Sequence, residues 1–228
     1  MGNLGKAVKL SVALFIYISC LFGENLDDFK AYVAKVQSGL KGWCSPEKAE
    51  GFVELIYDLN PDVCVEIGVF GGASFFPIAA TLKFLQHGVA VAVDPWEKEE
   101  CLKYLDPVRD SHHIHFWGNL DLDHFHGLFL ELVNAHHLKD HVSILRTTSE
   151  KAAKILGKID FLSLDGHHAE EAVLQDVHLY LPKVRSGGLI CLNDSLWAEM
   201  QPAMEILLNE CDPVRVFDGG NLVVLRKR

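Results

Sequence analysis

Residues 63–74, VCVEIGVFGGAS, limit what this chain can fold into more than any other stretch. An apolar run with Val63, Val65 and Ile67 passes through Glu66 into a turn holding Gly68, Gly71 and Gly72, and helix-forming sequence starts at Ser74. That order predicts a buried strand, a glycine turn and a helix N-terminus, the place where an open α/β sheet binds a nucleotide-like ligand. Gly68 and Gly72 would let the backbone pass close to a ligand with no Cβ in the way. Spacing narrows the ligand. A dinucleotide fingerprint reads G-x-G-x-x-G and seats a pyrophosphate on the helix N-terminus. Here the pattern is E-x-G-x-x-x-G-x-S, with an acid two residues ahead of the first glycine. A plain strand-to-helix turn would also use such glycines, so the case rests on the rest of the chain.

Upstream, Phe29, Tyr32, Val33, Val36 and Leu40 recur at helical spacing, predicting a helix over 27–40. Ser45-Pro46-Glu47 reads as an N-cap with proline at the first helical position, opening a second helix to about Leu59. Downstream, strands are expected at 89–93, 142–145, 159–164 and 189–192, separated by helices at 74–86, 122–138, 149–156 and 170–181. Residues 97–119 show no period, and a turn is expected over 182–188. A last helix over 196–210 precedes two short strands, 214–217 and 222–225, joined through Asp218-Gly219-Gly220-Asn221 as a hairpin. Strands alternating with helices mean a mostly parallel, doubly wound, Rossmann-like α/β sheet. The antiparallel hairpin would close it, and the two N-terminal helices are extra. With no repeat or linker, residues 24–228 read as one domain with its core at 63–225.

Residues 1–23 are read apart. Lys6 and Lys9 precede an almost unbroken apolar run, Leu10–Phe22, too short for a full span and suited to a signal peptide or a membrane anchor. Export or membrane association through residues 10–22 is therefore expected, with a cytoplasmic protein as the alternative. The formal net charge of −10 argues against a surface that tracks phosphates, and so against nucleic acid as partner. Six cysteines without a C-x-x-C do not form a disulfide framework, and Cys64 and Cys191 read as small buried hydrophobes.

Ligands in a doubly wound sheet sit beyond the carboxyl ends of the strands, and every parallel strand here ends in polar residues. Asp94, one residue past the second strand, is placed to accept from both hydroxyls of a ribose. Ser149 lies where an adenine would rest, and Glu66 forms the floor. Asp165, Asn193 and Asp194 are hard oxygen ligands that suit Mg²⁺ or Ca²⁺ better than Zn²⁺; Asn193 and Asp194 would otherwise cap the last helix. His167 and His168 follow Asp165, and either imidazole could take a proton from an acceptor hydroxyl. Adjacent side chains point apart, so at most one serves. His136, His137 and His141 lack the partners of a transition-metal site.

Glu66–Ser74, Asp94, Ser149, Ser163–His168 and Cys191–Asp194 together resemble the small-molecule O-methyltransferases of class I, which use S-adenosylmethionine (SAM). The nearest groups are the methyltransferase-24 type and, further off, the catechol-type, cation-dependent enzymes. The resemblance covers Val63–Leu225. It implies that Glu66, Gly68, Gly72, Ser74, Asp94, Ser149 and Asp165 contact SAM, and that Asp165, Asn193 and Asp194 hold a Mg²⁺ orienting the acceptor. Relatives carry an acid or a nearby lysine where this chain has His167 and His168. The function implied is methyl transfer to a hydroxyl of a small molecule. An NAD(P)-dependent oxidoreductase and a non-catalytic Rossmann-like binding domain are the alternatives.

Overall fold

The structure is a computed structural model that describes residues 25–228. The apolar run at 10–22, with its export or membrane-anchor reading, lies outside the described residues. Among those residues no helix is long and apolar enough to cross a membrane.

Two helices come first, α1 (Leu26–Gln37) and α2 (Pro46–Leu59). Asn25 caps α1 by accepting from the Asp27 amide, and Ser45 caps α2 by accepting from the Lys48 amide. Strand β1 (Val63–Ile67) leads to α3 (Phe75–Leu85), and β2 (Val89–Val93) follows. The stretch expected to be irregular holds two short helices, α4 (Lys98–Leu102) and α5 (Ser111–Gly118), before α6 (Leu122–Ala135). Then come β3 (Val142–Leu145), α7 (Ser149–Ala153), β4 (Ile159–Leu164) and α8 (Glu170–Tyr180). The chain ends with β5 (Val184–Asn193), α9 (Gln201–Glu210), β6 (Cys211–Phe217) and β7 (Leu222–Lys227).

The sheet runs β3-β2-β1-β4-β5-β7-β6. The first five strands are parallel, and β7 lies antiparallel between β5 and β6, as the doubly wound reading with a closing hairpin requires. Strand β5 starts at Val184, earlier than expected, because the Ile159–Phe161 register shift lets Val184 pair with Ile159 before Leu189 pairs with Phe161. Pro213 is tolerated because β6 is the edge.

Side chains alternate across the sheet, so each face has its own core. Cys64, Ala90, Phe161 and Cys191 face α1, α2, α3 and α6. Val65, Val91, Leu162 and Ile190 face α7, α8 and α9. Cys64 and Cys191 are buried and free, as expected of small hydrophobes. Helix α1 is anchored by Phe29, whose ring stacks on Phe84 at 4.4 Å. The N-terminal helices thus cover one face and bring the 38–45 loop over the strand ends.

Candidate active site

A cleft of about 980 Å³ opens at the carboxyl ends of the parallel strands. Its first wall is the glycine turn, and Asp94 holds that turn. One carboxylate oxygen, Oδ2, accepts from the amides of Val69 and Phe70, each at 2.9 Å; Oδ1 accepts from the Trp96 amide at 2.7 Å. Burial raises the Asp94 pKa, and these three amides work against the rise. Two carboxylate oxygens offer about four lone-pair positions, so Asp94 has room for one ribose hydroxyl where the sequence suggested two. Phe70 and Trp96 both have positive φ, 49° and 47°, and the Trp96 indole donates to the Phe70 carbonyl at 2.8 Å. The turn is fixed before any ligand arrives.

The glycines serve packing. A Cβ on Gly68, where φ is 84°, would meet the Asp165 carbonyl oxygen at 2.0 Å. On Gly72 it would meet the Phe129 ring at 2.8 Å, on the side of α6. Both close approaches are to protein, and Gly72 does not line the cleft.

Glu66 lies under the turn, about 1% exposed, and accepts from the Ser74 hydroxyl at 2.5 Å. Its Oε2 has no partner among the described residues. Burial, reinforced by Asp165, lifts its pKa well above the carboxylate range, with Ser74 opposing. Glu66 thus holds a proton more readily than an exposed carboxylate does. Ser149 opens α7, lines the cleft with the cap residue Thr148, and its carbonyl accepts from the Tyr180 hydroxyl at 2.8 Å.

The other wall is acidic. His168 Nε2 lies 3.0 Å from Asp194 Oδ2, an ion-pair distance off the line of a hydrogen bond. Asp165, His168 and Asp194 place ligand atoms within 4.8 Å of one another. Asp194 sits at φ 50°, and its Oδ1 accepts from the Asn221 amide group at 3.1 Å. Burial pushes Asp165 up to about 7; Asp194 adds to the rise, and His168 and Lys48 oppose it. His167 also lines the cleft but lies outside that cluster. Its Nδ1 accepts from the Ala169 amide, its ring meets Tyr104, and burial lowers its pKa. Of the two histidines, only His168 joins the carboxylates.

Asn193 does not join the expected metal set. Its amide nitrogen donates to Ser163 Oγ and the Leu164 carbonyl, each at 3.3 Å. Its oxygen faces the ammonium of Lys48 at 3.5 Å. The reason is register: Asn193 alternates with Cys191 onto the α2 face, while Asp194 turns out of the strand.

Sequence reasoning missed two residues of this cleft. Lys48 reaches in from the third position of α2, where a cation opposes the helix dipole; that misplacement was the available signal. Asp176 interrupts the apolar stripe Val173, Val177, Tyr180 on α8, and burial pushes it up to about 6. Helices α4 and α5 bring Tyr104, His113 and Trp117 over the mouth. Trp43 packs there against Phe70, Phe116 and Trp117 at 5.4–6.1 Å between ring centres.

The sequence model of a family described as a methyltransferase domain matches residues 65–195. No curated protein matches the sequence. Among solved structures, the O-methyltransferase from Bacillus cereus in complex with SAH superposes with a TM-score of 0.60 at 15% identity, over 94% of this chain and 97% of that one. The SAH-bound methyltransferase from Podospora anserina gives 0.58 at 11% identity, over 100% and 97%. At such identities these likenesses concern the fold.

Proposed function

Since the chain belongs to this methyltransferase-domain family and is a SAM-dependent methyltransferase, we propose that it is an O-methyltransferase that moves the sulfonium methyl to a hydroxyl of a small molecule. The observation that carries the hydroxyl is the His168–Asp194 pair at the strand ends, 3.0 Å apart and in the same cleft as the Asp94-held turn. SAM brings the reactive methyl, so the protein's work is positioning and proton removal. Glu66 and Ser74 lie at the methionyl end of the site. Asp94 takes a ribose hydroxyl. Ser149 and Asp176 border the adenine.

As the new O–CH₃ bond forms and the S–CH₃ bond breaks, the acceptor's proton passes to the His168 imidazole. Asp194 then faces an imidazolium and stabilises it. A positioned general base of this kind contributes roughly 10²–10⁴-fold to rate. The family match replaces the oxidoreductase and the non-catalytic readings.

Mg²⁺, which the resemblance implies, does not fit the residues present. This ion demands near-octahedral oxygen ligation. The cluster offers two carboxylates and an imidazole, the Asn193 oxygen is turned to an ammonium, and both Asp194 oxygens already face partners. No step here is assigned to the ion. Residues 10–22, if they anchor the chain, would hold the domain at a membrane on the side where SAM is made.

Titration calorimetry with SAM and with its product S-adenosylhomocysteine (SAH) tests the cofactor. A radiolabelled-methyl screen of hydroxylated small molecules tests the acceptor. A folded protein that binds neither nucleoside would sink the proposal; SAH binding with methyl incorporated only at nitrogen or carbon would sink the hydroxyl part alone.

A further inference from the structure

Lys48 is about 4% exposed and carries three N–H donors. Among the described residues its ammonium meets two acceptors, Asn193 Oδ1 at 3.5 Å and Asp218 Oδ2 at 3.9 Å. Neither is a close contact. A buried ammonium so loosely held, in a helix first turn whose dipole disfavours it, is costly to keep. Its position gives the reason. Lys48 lines the cleft and acts electrostatically on both Asp165 and Asp194.

Two further contacts fix it there. Ser45 accepts from the Lys48 amide at 3.1 Å and donates to Asp218 Oδ1 at 2.6 Å, so the cap of α2 and the loop before β7 frame the ammonium together. Asn193 turns its oxygen, the one neutral oxygen of the expected ligand set, to the lysine. Three acids at the strand ends, Asp94, Asp165 and Asp194, line the cleft, and an uncompensated set of that kind would self-repel.

We propose that the Lys48 ammonium takes the place of a divalent cation in this cleft, supplying the positive charge that faces Asp165, Asp194 and the acceptor oxygen. The chemical consequence rests on the methyltransferase reading of the cleft; the charge assignment itself does not. Lys48 orients the acceptor by donating an N–H to its oxygen, and methyl transfer proceeds without added metal. A divalent cation entering between Asp165 and Asp194 meets a like charge and binds poorly.

Mn²⁺ titrated into the full chain, with free Mn²⁺ followed by electron paramagnetic resonance, tests this without knowledge of the acceptor. The expected wild-type dissociation constant is weaker than about 1 mM, the weak end of oxygen-ligand sites. Lys48→Met is expected to bind Mn²⁺ at least about tenfold more tightly as the like charge goes, and Asp165→Asn on that background should remove the gain. Lys48→Gln serves as a second variant, with thermal unfolding reporting whether either is folded. Micromolar Mn²⁺ binding by the wild type overturns the proposal. So does a folded Lys48→Met or Lys48→Gln that binds Mn²⁺ no better than wild type. SAH titration on the same samples keeps the two readings apart: lost SAH binding counts against the cofactor assignment, and the Mn²⁺ result stands either way.

Discussion

His168 Nε2 and Asp194 Oδ2, 3.0 Å apart, hold each other in their charged forms. Burial pulls the His168 pKa down, but Asp194, aided by Asp165 and Glu199, carries it above its ordinary 6.5. Burial pushes Asp194 up, but His168, Asn221 and Lys48 bring it below its ordinary 3.8. The histidine's share of stability is full below 6.5 and is lost as pH rises through the raised value. The aspartate's share is present above 3.8 and is lost as pH falls through the lowered one. The pair therefore stabilises most in mildly acid solution, while a base must be unprotonated to act. Methyl transfer should rise with pH to a midpoint above 6.5. In Asp194→Asn that midpoint should drop below 6.5, because burial then acts on His168 with less opposition. A pH–rate profile of the two proteins checks this; coincident midpoints would remove His168 as the base.

Asp165 makes the opposite demand. Its folded pKa, about 7, lies above the ordinary 3.8, so the native state binds the extra proton and stability declines as pH rises from 3.8 through 7. Asp165→Asn removes a charge that burial disfavours. The melting temperature of this variant should exceed wild type at about pH 8 and approach it at about pH 5, on a scale of roughly 2–4 °C per kcal/mol for a chain this size. Scanning calorimetry at the two pH values decides; a variant equally or less stable at alkaline pH would show that His168 and Lys48 offset the burial of the carboxylate in full.

The two glycines of the turn should differ in tolerance. Gly68→Ala drives a Cβ into a backbone carbonyl at 2.0 Å at a φ of 84°, and neither β4 nor the turn can move aside. Its cost is expected at roughly 3 kcal/mol or more. Gly72→Ala meets side-chain carbons of Phe129 and Leu132 at 2.8 and 2.9 Å, with φ 87°. Phe129→Leu should recover part of the Gly72→Ala loss and none of the Gly68→Ala loss. Urea denaturation of the four variants measures both.

Stability and binding should separate at Asp160. Its Oδ2 accepts from the amides of Asp62 and Val63 at 2.9 and 2.8 Å, and its Oδ1 meets Arg185, all at the amino end of the sheet. Asp160→Ala leaves those donors unmet at a cost of about 2 kcal/mol. SAH affinity of the folded fraction should not change. A denaturation curve and a binding isotherm on one preparation are enough, and weakened binding would mean that the two ends of the sheet are coupled.

The repeating parts of the chain were legible. Strands at 63–67, 89–93, 142–145 and 159–164 lie where alternation and apolar runs put them, and Ser45-Pro46 does cap α2. Residues 97–119 were not. Helices of five and eight residues, with no fully buried side chain, carry too little apolar period to read. The site was legible by strand end and obscure by side chain. Asp94, Asp165 and His168 do converge on one cleft. Asn193 and Asp194 are neighbours in sequence, yet a positive φ at Asp194 sends them to different partners. The glycines were legible as close approaches, but a missing Cβ does not say to what.

Ser45 and Asp218 are 173 positions apart and share a 2.6 Å hydrogen bond. The matched family segment, 65–195, contains neither. Loop closure over that span comes late in folding, since distant contacts repay their entropy only when both sides are already ordered. A nascent chain with β1 to β5 already made can assemble most of the sheet, but it has no β7 hairpin against which to set the start of α2. Ligand-binding competence should therefore arrive at the end of synthesis, as a single event after the core is built. Proteolytic nicking at the Asp218–Asn221 connection should cost the cleft long before it costs the fold.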